Sequence, residues 1–139
     1  LVVAMTEQKS GLLGSAALVP DEDRYLHNQR LGLIVDLDAK RLNKNFLFNV
    51  FNLPHLRAEV AKTSTGSKVK HTSPTKLRDV KVGIPPTLEE QEDIATALST
   101  TERKIAVAKS KRIQLQDLFR ALLHELMTAK TRVHTADIK

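Results

Sequence analysis

Two carboxylates and an amine have the spacing most suggestive of catalysis. Pro20-Asp21 is followed by Asp38-Ala39-Lys40. Alternation along a strand would set Asp38 and Lys40 on one face. Asp21 and Asp38 could then hold Mg²⁺ while Lys40 helps activate water for phosphodiester hydrolysis. The pattern is short, and carboxylates in an acidic turn or at a strand end are ordinarily just solvated, so this is the lesser reading. A second set suits binding rather than reaction. The stretch from Thr63 to Lys76 carries Lys68, Lys70 and Lys76 together with His71, Thr72 and a flexible Gly66. Ammonium groups suit phosphate oxygens, while Ser, Thr and His can reach base edges. Arg41 and Lys44 stand in support, and Thr6 and Gln8 are weaker candidates. The plain alternative is a solvated surface loop. Other chemistry is thin. The chain has no cysteine, which excludes thiol catalysis, disulfides and zinc fingers. His124 and Glu125 are neighbours on a helix and point different ways. No Gly-rich phosphate loop, Asn-Pro-Pro methyltransferase motif or Ser-His-Asp spacing occurs, and no metal or cofactor is expected.

Charge says where a partner would sit. The net charge is +6, but residues 1–39 carry −3, residues 40–82 carry +8 and residues 83–139 carry +1. A concentrated basic block is the footprint of a polyanion partner. With only 4 Phe and 1 Tyr, stacking of bases on aromatic side chains is a poor prospect, which favours duplex over single-stranded nucleic acid. A hydrophobic content of 41% and charged content of 27% are ordinary for a globular chain. No apolar run is long enough to cross a bilayer, and Leu1-Val2-Val3-Ala4-Met5 lacks the pattern of a signal peptide. A cytoplasmic location is expected. The chain starts without Met and in mid-strand, which predicts a fragment lacking N-terminal sequence.

The elements that must position these residues read as follows. Leu1 to Met5 is a buried strand, Glu7 to Ser10 a polar turn, and Gly11 and Gly14 punctuate a tight loop. Ala16 to Val19 is a short strand ending at Pro20, and Asp21-Glu22-Asp23 a solvated turn. Leu31 to Asp38 is the best strand, with Leu33, Val35 and Leu37 alternating. The period then changes. Phe46, Leu47, Val50 and Phe51 follow helical spacing, and Pro54 opens a second short helix through Leu56, Val60 and Ala61. After the polar loop, Val82 and Ile84 form a last short strand, closed by Pro85-Pro86.

One long helix follows, from about Leu88 to Ala129. Thr87 and Glu90 make a capping box, and Glu89, Glu90, Glu92 and Asp93 suit the positive end of the helix dipole. Ile94, Leu98, Thr101, Ile105, Ala108, Arg112, Leu115, Phe119, Leu122, Leu126 and Ala129 step by 4 and 3 without a slip, which is a heptad seam. The residues expected to pair with another helix are Ile94, Leu98, Ile105, Leu115, Phe119, Leu122 and Leu126. Such a helix is about 60 Å long, too long for so small a domain to cover, so the seam predicts a partner helix from a second copy or a second protein. Arg112 either fixes register or snorkels out of the seam.

The stretch Lys76 to Gln91 (KLRDVKVGIPPTLEEQ) resembles the junction in specificity subunits of type I restriction–modification enzymes. There a target recognition domain ends in a short strand, then Pro-Pro, then a Glu-Gln pair that opens the conserved spacer helix. Leu118 to Val133 is similar to the tail of that helix. Ala4-Met5-Thr6, Gly11 to Gly14, Ala17-Leu18-Val19 and Tyr25 to Leu31 resemble, more loosely, strands of the recognition domain. The resemblance implies an α+β fold: a small twisted β-sheet recognition domain with short helices over residues 1–86, then one long helix and its tail over 87–139 that pairs as an antiparallel coiled coil. It implies sequence-specific recognition of one half of a bipartite duplex site. Partners would be methyltransferase subunits and, through them, the restriction subunit, with no catalysis in this chain. Family members have two recognition domains and two helices, so this chain corresponds to part of one half. Rival readings are the magnesium-dependent nuclease of Asp21, Asp38 and Lys40, and a coiled-coil adaptor that binds no DNA. The adaptor leaves the basic block unexplained.

Overall fold

In a computed structural model, which describes residues 1–21 and 23–132, the first strand is the centre of a small sheet. Strand β1 (Val2–Ala4) pairs antiparallel on one side with β3 (Ala16–Ala17), Val3 opposite Ala16, and on the other with β4 (Leu31–Leu33), Val3 opposite Gly32. After Met5 the chain enters β2 (Thr6–Glu7), which pairs in a separate two-stranded ladder with β5 (Lys70–His71). The outer edge of β3 is covered by a side chain. The Asn52 amide accepts the Ala16 N–H and donates to the Ala16 carbonyl, both at 3.1 Å, so it stands in for a missing strand and blunts the edge.

Among the described residues, four helices follow the period change. Helix α1 (Lys44–Phe51) starts at Asn43, whose side chain accepts the N–H groups of Asn45 and Phe46. Helix α2 (Pro54–Lys62) opens on a proline, whose absent N–H would have had no helical partner there. Helix α3 (Pro74–Arg78) is capped by Ser73. Helix α4 (Leu88–Met127) has 40 residues, and the Glu90 N–H donates to Thr87 Oγ1 at 3.2 Å. Leu47, Val3, Leu1 and Ala16 bury one apolar cluster between sheet and α1. Leu13, Phe46, Val50, Leu56, Val60 and Ala95 bury another. Gly14 is needed where the loop meets α2: its φ is +76°, and a Cβ there would press on Val60 at 3.2 Å. The compact unit formed by these elements runs from Leu1 to Thr96, and the remainder of α4 belongs to a second unit.

The α+β architecture is the one expected, with local differences. The strand expected over Leu31 to Asp38 stops at Leu33. Among the described residues no second strand lies alongside its continuation, and Asp36 takes a left-handed φ of 53°. Val82 and Ile84 form no ladder; Val82 packs on the core instead. The polar loop contains two unexpected elements, β5 and α3. Helix α4 ends at Met127 rather than Ala129. There Ala129 turns left-handed at φ 55° and the Lys130 N–H returns to the Glu125 carbonyl at 2.9 Å, closing the helix end. Glu22 of the expected acidic turn and residues 133–139 of the tail lie outside the described residues.

Candidate nucleic-acid interface

The β2–β5 ladder organises the surface. Glu7 is opposite Lys70 and Thr6 opposite His71. On its other side His71 exchanges two backbone hydrogen bonds with Thr65, at 2.8 and 2.9 Å, and the Thr72 N–H donates to the Met5 carbonyl. The turn between Thr65 and β5 depends on Gly66, whose φ is +106° and where a Cβ would collide with the Val69 carbonyl. Three short backbone segments thus present Lys70, His71 and Thr72 beside Thr6.

Glu7 is the acid in this basic setting, and its role is internal. It is only 5% exposed, and one carboxylate oxygen accepts the N–H groups of Gly11, Leu12 and Leu13, each at 2.9 Å. Those bonds, that from Leu13 foremost, hold the carboxyl below its ordinary pKa against the opposing effect of burial, and Lys70 adds to the lowering. The negative charge is spent on its own loop, so Gln8, Lys9 and Ser10 are carried on a clamped protrusion. A facing turn bears Asn28, Gln29 and Arg30. It is set by the Arg30 N–H donating to Asn28 Oδ1 at 2.9 Å and the Met5 N–H donating to the Arg30 carbonyl at 2.9 Å. Between the two lies an open cleft of about 1020 Å³ with Val69 and His71 on its wall.

The expected binding residues separate into groups. Lys68 is exposed on the turn beside β5, and Lys70, His71 and Thr72 adjoin the ladder. Lys76 reaches back, and its Nζ donates to the Thr63 carbonyl at 2.5 Å, at the end of α2. Arg41 and Lys44 line two other grooves: Arg41 beside Pro85 and Pro86, Lys44 beside Leu1 and Tyr25. Thr6 and Gln8 line the cleft itself, together with three residues that are not among the expected binding residues, Lys9, Gln29 and Arg30. Gly11 and Gly14 signal a tight loop there, but nothing in the sequence signals that Glu7 clamps it.

The carboxylate pair is not assembled as the nuclease reading needs. Asp38 lies in a turn, not on a strand: its side chain accepts the Lys40 N–H at 3.0 Å and its carbonyl accepts those of Arg41 and Leu42. An aspartate capping its own turn is stable without metal. Asp21 faces Arg24 at 3.4 Å on the surface, and the two aspartates line different grooves. Among the described residues no group of three or more His, Asp or Glu side chains could hold a metal ion.

On α4, Gln91 is fully buried. Its amide donates to the Arg41 and Pro85 carbonyls at 3.1 and 3.0 Å and accepts the Asn43 N–H at 2.9 Å. Ile94 packs against the core cluster of the first unit, next to buried Ala95. From Leu98 onward the seam side chains are bare: Leu98, Ile105, Leu115, Phe119, Leu122 and Leu126 are all exposed, Phe119 by 65%. Among the described residues no helix is long and apolar enough to cross a membrane.

A family model for the type I restriction modification DNA specificity domain matches residues 3–117. The chain belongs to this family. The specificity subunit of the type I restriction enzyme MjaVIII from Methanocaldococcus jannaschii is 26% identical over 113 residues, which are 81% of this chain and 26% of that protein. This specificity domain therefore spans about a quarter of the length of the curated relative it matches. No solved structure matches significantly. The specificity-domain match takes in the β2–β5 ladder, the cleft, Gln91 and the seam as far as Leu115; Phe119, Leu122 and Leu126 lie beyond it.

Proposed function

We propose that this specificity domain reads one half of a bipartite duplex DNA site within a type I restriction–modification complex. In this reading residues 1–86 are the recognition domain and 87–139 the spacer helix and tail, with the first turns of α4 seated in the domain's core. The exposed seam from Leu98 to Leu126 pairs antiparallel with an equivalent helix and so sets the distance between half-sites. The subunit also holds the methyltransferase subunits, and through them the restriction subunit. The chain itself carries no catalysis. The observation that carries this reading is the family match, which runs unbroken from the α+β unit well into the long helix. The basic block supports it, since phosphate contacts supply much of the affinity of any duplex-binding surface.

The DNA-facing set is centred on Lys68, Lys70, His71 and Thr72, with Arg41, Lys44 and Lys76 in support. Replacing Lys68 and Lys70 together by Ala should weaken binding to every duplex sequence. It should also flatten the plot of log affinity against log salt by about 0.9 for each phosphate no longer neutralised. Fluorescence anisotropy of a labelled duplex over a salt series measures both. An unchanged slope would move the phosphate-binding face away from β5.

A further inference from the structure

We propose that Gln8 and Gln29 are base-reading side chains, each addressed to an adenine edge in the major groove of duplex DNA. The inference rests on the DNA-recognition reading and names which side chains do the reading. Four observations converge on them.

First, both glutamines line the cleft flanking the β2–β5 ladder, from opposite loops. A short β-ribbon with its turns is an element the major groove admits. Second, the side-chain amides are available. Among the described residues neither makes a hydrogen bond, and both are exposed. Asn28 is not equivalent, because its Oδ1 already accepts the Arg30 N–H and shapes the turn. A glutamine amide offers a donor and an acceptor side by side, which matches the N6 and N7 positions of adenine.

Third, each glutamine adjoins a cation in sequence, Lys9 after Gln8 and Arg30 after Gln29. Such pairs place a phosphate contact next to each base contact, and phosphate contacts fix register without reading sequence. The acid of the region, Glu7, is turned inward, with its carboxylate buried against loop amides and not presented at the surface. Fourth, both loops are held before any ligand arrives. The Glu7 carboxylate takes the N–H groups of Gly11, Leu12 and Leu13, which closes the loop that carries Gln8. The Gln29 turn is tied to Met5 through Arg30 and to His27, whose Nε2 meets the Leu31 carbonyl at 2.8 Å. A preorganised loop loses little entropy on binding, which suits a reader better than a slack one.

The test is selection from a duplex library with a randomised central segment, using the full chain and its variants Gln8→Ala, Gln29→Ala and the double variant. Thermal melting of each variant checks that the fold is kept. The wild type should select a motif containing adenines. Each single variant should lose preference at a different position, with discrimination there falling roughly 5- to 100-fold, while binding to unselected duplex stays within about twofold. A double variant that selects the wild-type motif unchanged overturns the inference and leaves the DNA-recognition reading standing. So does a loss of preference at positions that are not adenines. A wild-type chain that binds no duplex at all removes the recognition reading itself, and this inference with it.

Discussion

Gln91→Met is the substitution whose cost can be worked most directly from the structure. Methionine has nearly the length and shape of glutamine, so it leaves no sizeable cavity at a site that is 0% exposed. What it removes is three hydrogen bonds, to Arg41, Asn43 and Pro85. Each is worth about 1 kcal/mol net, and leaving a partner dry and unpaired costs about 1–3 kcal/mol. The Arg41 and Pro85 carbonyls can recover some water, so a total near 3 kcal/mol is expected. For a unit of this size that lowers the melting temperature by about 12 °C or more. Calorimetry on wild type and variant measures it. Gln91→Glu sharpens the test. Its carboxylate could still accept the Asn43 N–H but would face two carbonyls, so its folded-state pKa should rise. The variant should then recover stability relative to wild type as pH falls, when the acid can donate again. A Gln91→Met protein melting within about 3 °C of wild type would refute the view that this amide holds the first turns of α4 within the compact unit.

Glu7 supplies the opposite pH response. Its folded-state pKa is lowered, so its stabilisation is present above the ordinary carboxylate pKa of about 4.3 and is lost as pH falls through the lower folded value. Wild type should therefore lose stability on acidification below that point, and Glu7→Gln should show a shallower loss; parallel melting curves from pH 7 to pH 3 would count against the clamp. Gly66→Ala should cost about 1–3 kcal/mol and loosen the turn before β5, read as faster amide hydrogen exchange at Thr65 and His71. Leu115→Asp should barely change the stability of the isolated chain, where Leu115 is 55% exposed, yet abolish pairing with a partner helix. Light scattering over a concentration series reads the second effect, and normal pairing by the variant would sink the seam assignment.

Periodicity and capping are the parts of this fold that the sequence makes legible. Helix α4 announces itself by a seam without breaks and a Thr87 cap, and α1 and α2 by apolar spacing and Pro54. The parts that are not legible depend on partners distant in sequence. Leu33, Val35 and Leu37 alternate as a strand should, but alternation does not supply a neighbour, and the ladder stops at Leu33. Lys70 and His71 have no strand signature of their own; their ladder exists because Thr6 and Glu7 lie beside them. Ser73-Pro74 is a helix start in sequence terms, but α3 has only five residues and is submerged in a polar loop. The Glu-Gln pair marks the start of α4, while the burial of Gln91 follows only from packing. At the candidate site the basic residues stand out in the sequence, whereas the clamped loop around Gln8 needs the Glu7 geometry.

The seating of Gln91 and Ala95 in the domain's core bears on how hybrid specificity proteins should be cut. Pro85-Pro86 looks like the natural place to splice one recognition module onto another's helix. A splice there would set a foreign helix against the Asn43, Arg41 and Pro85 groups that Gln91 satisfies, and a foreign residue at the Ala95 position into the buried cluster that also holds Val60 and Phe46. A splice after Thr96 would transplant those turns with the module that fitted them. The same logic makes the graft directional: the outer stretch of α4 is portable, while its first two turns travel with the host they were shaped to.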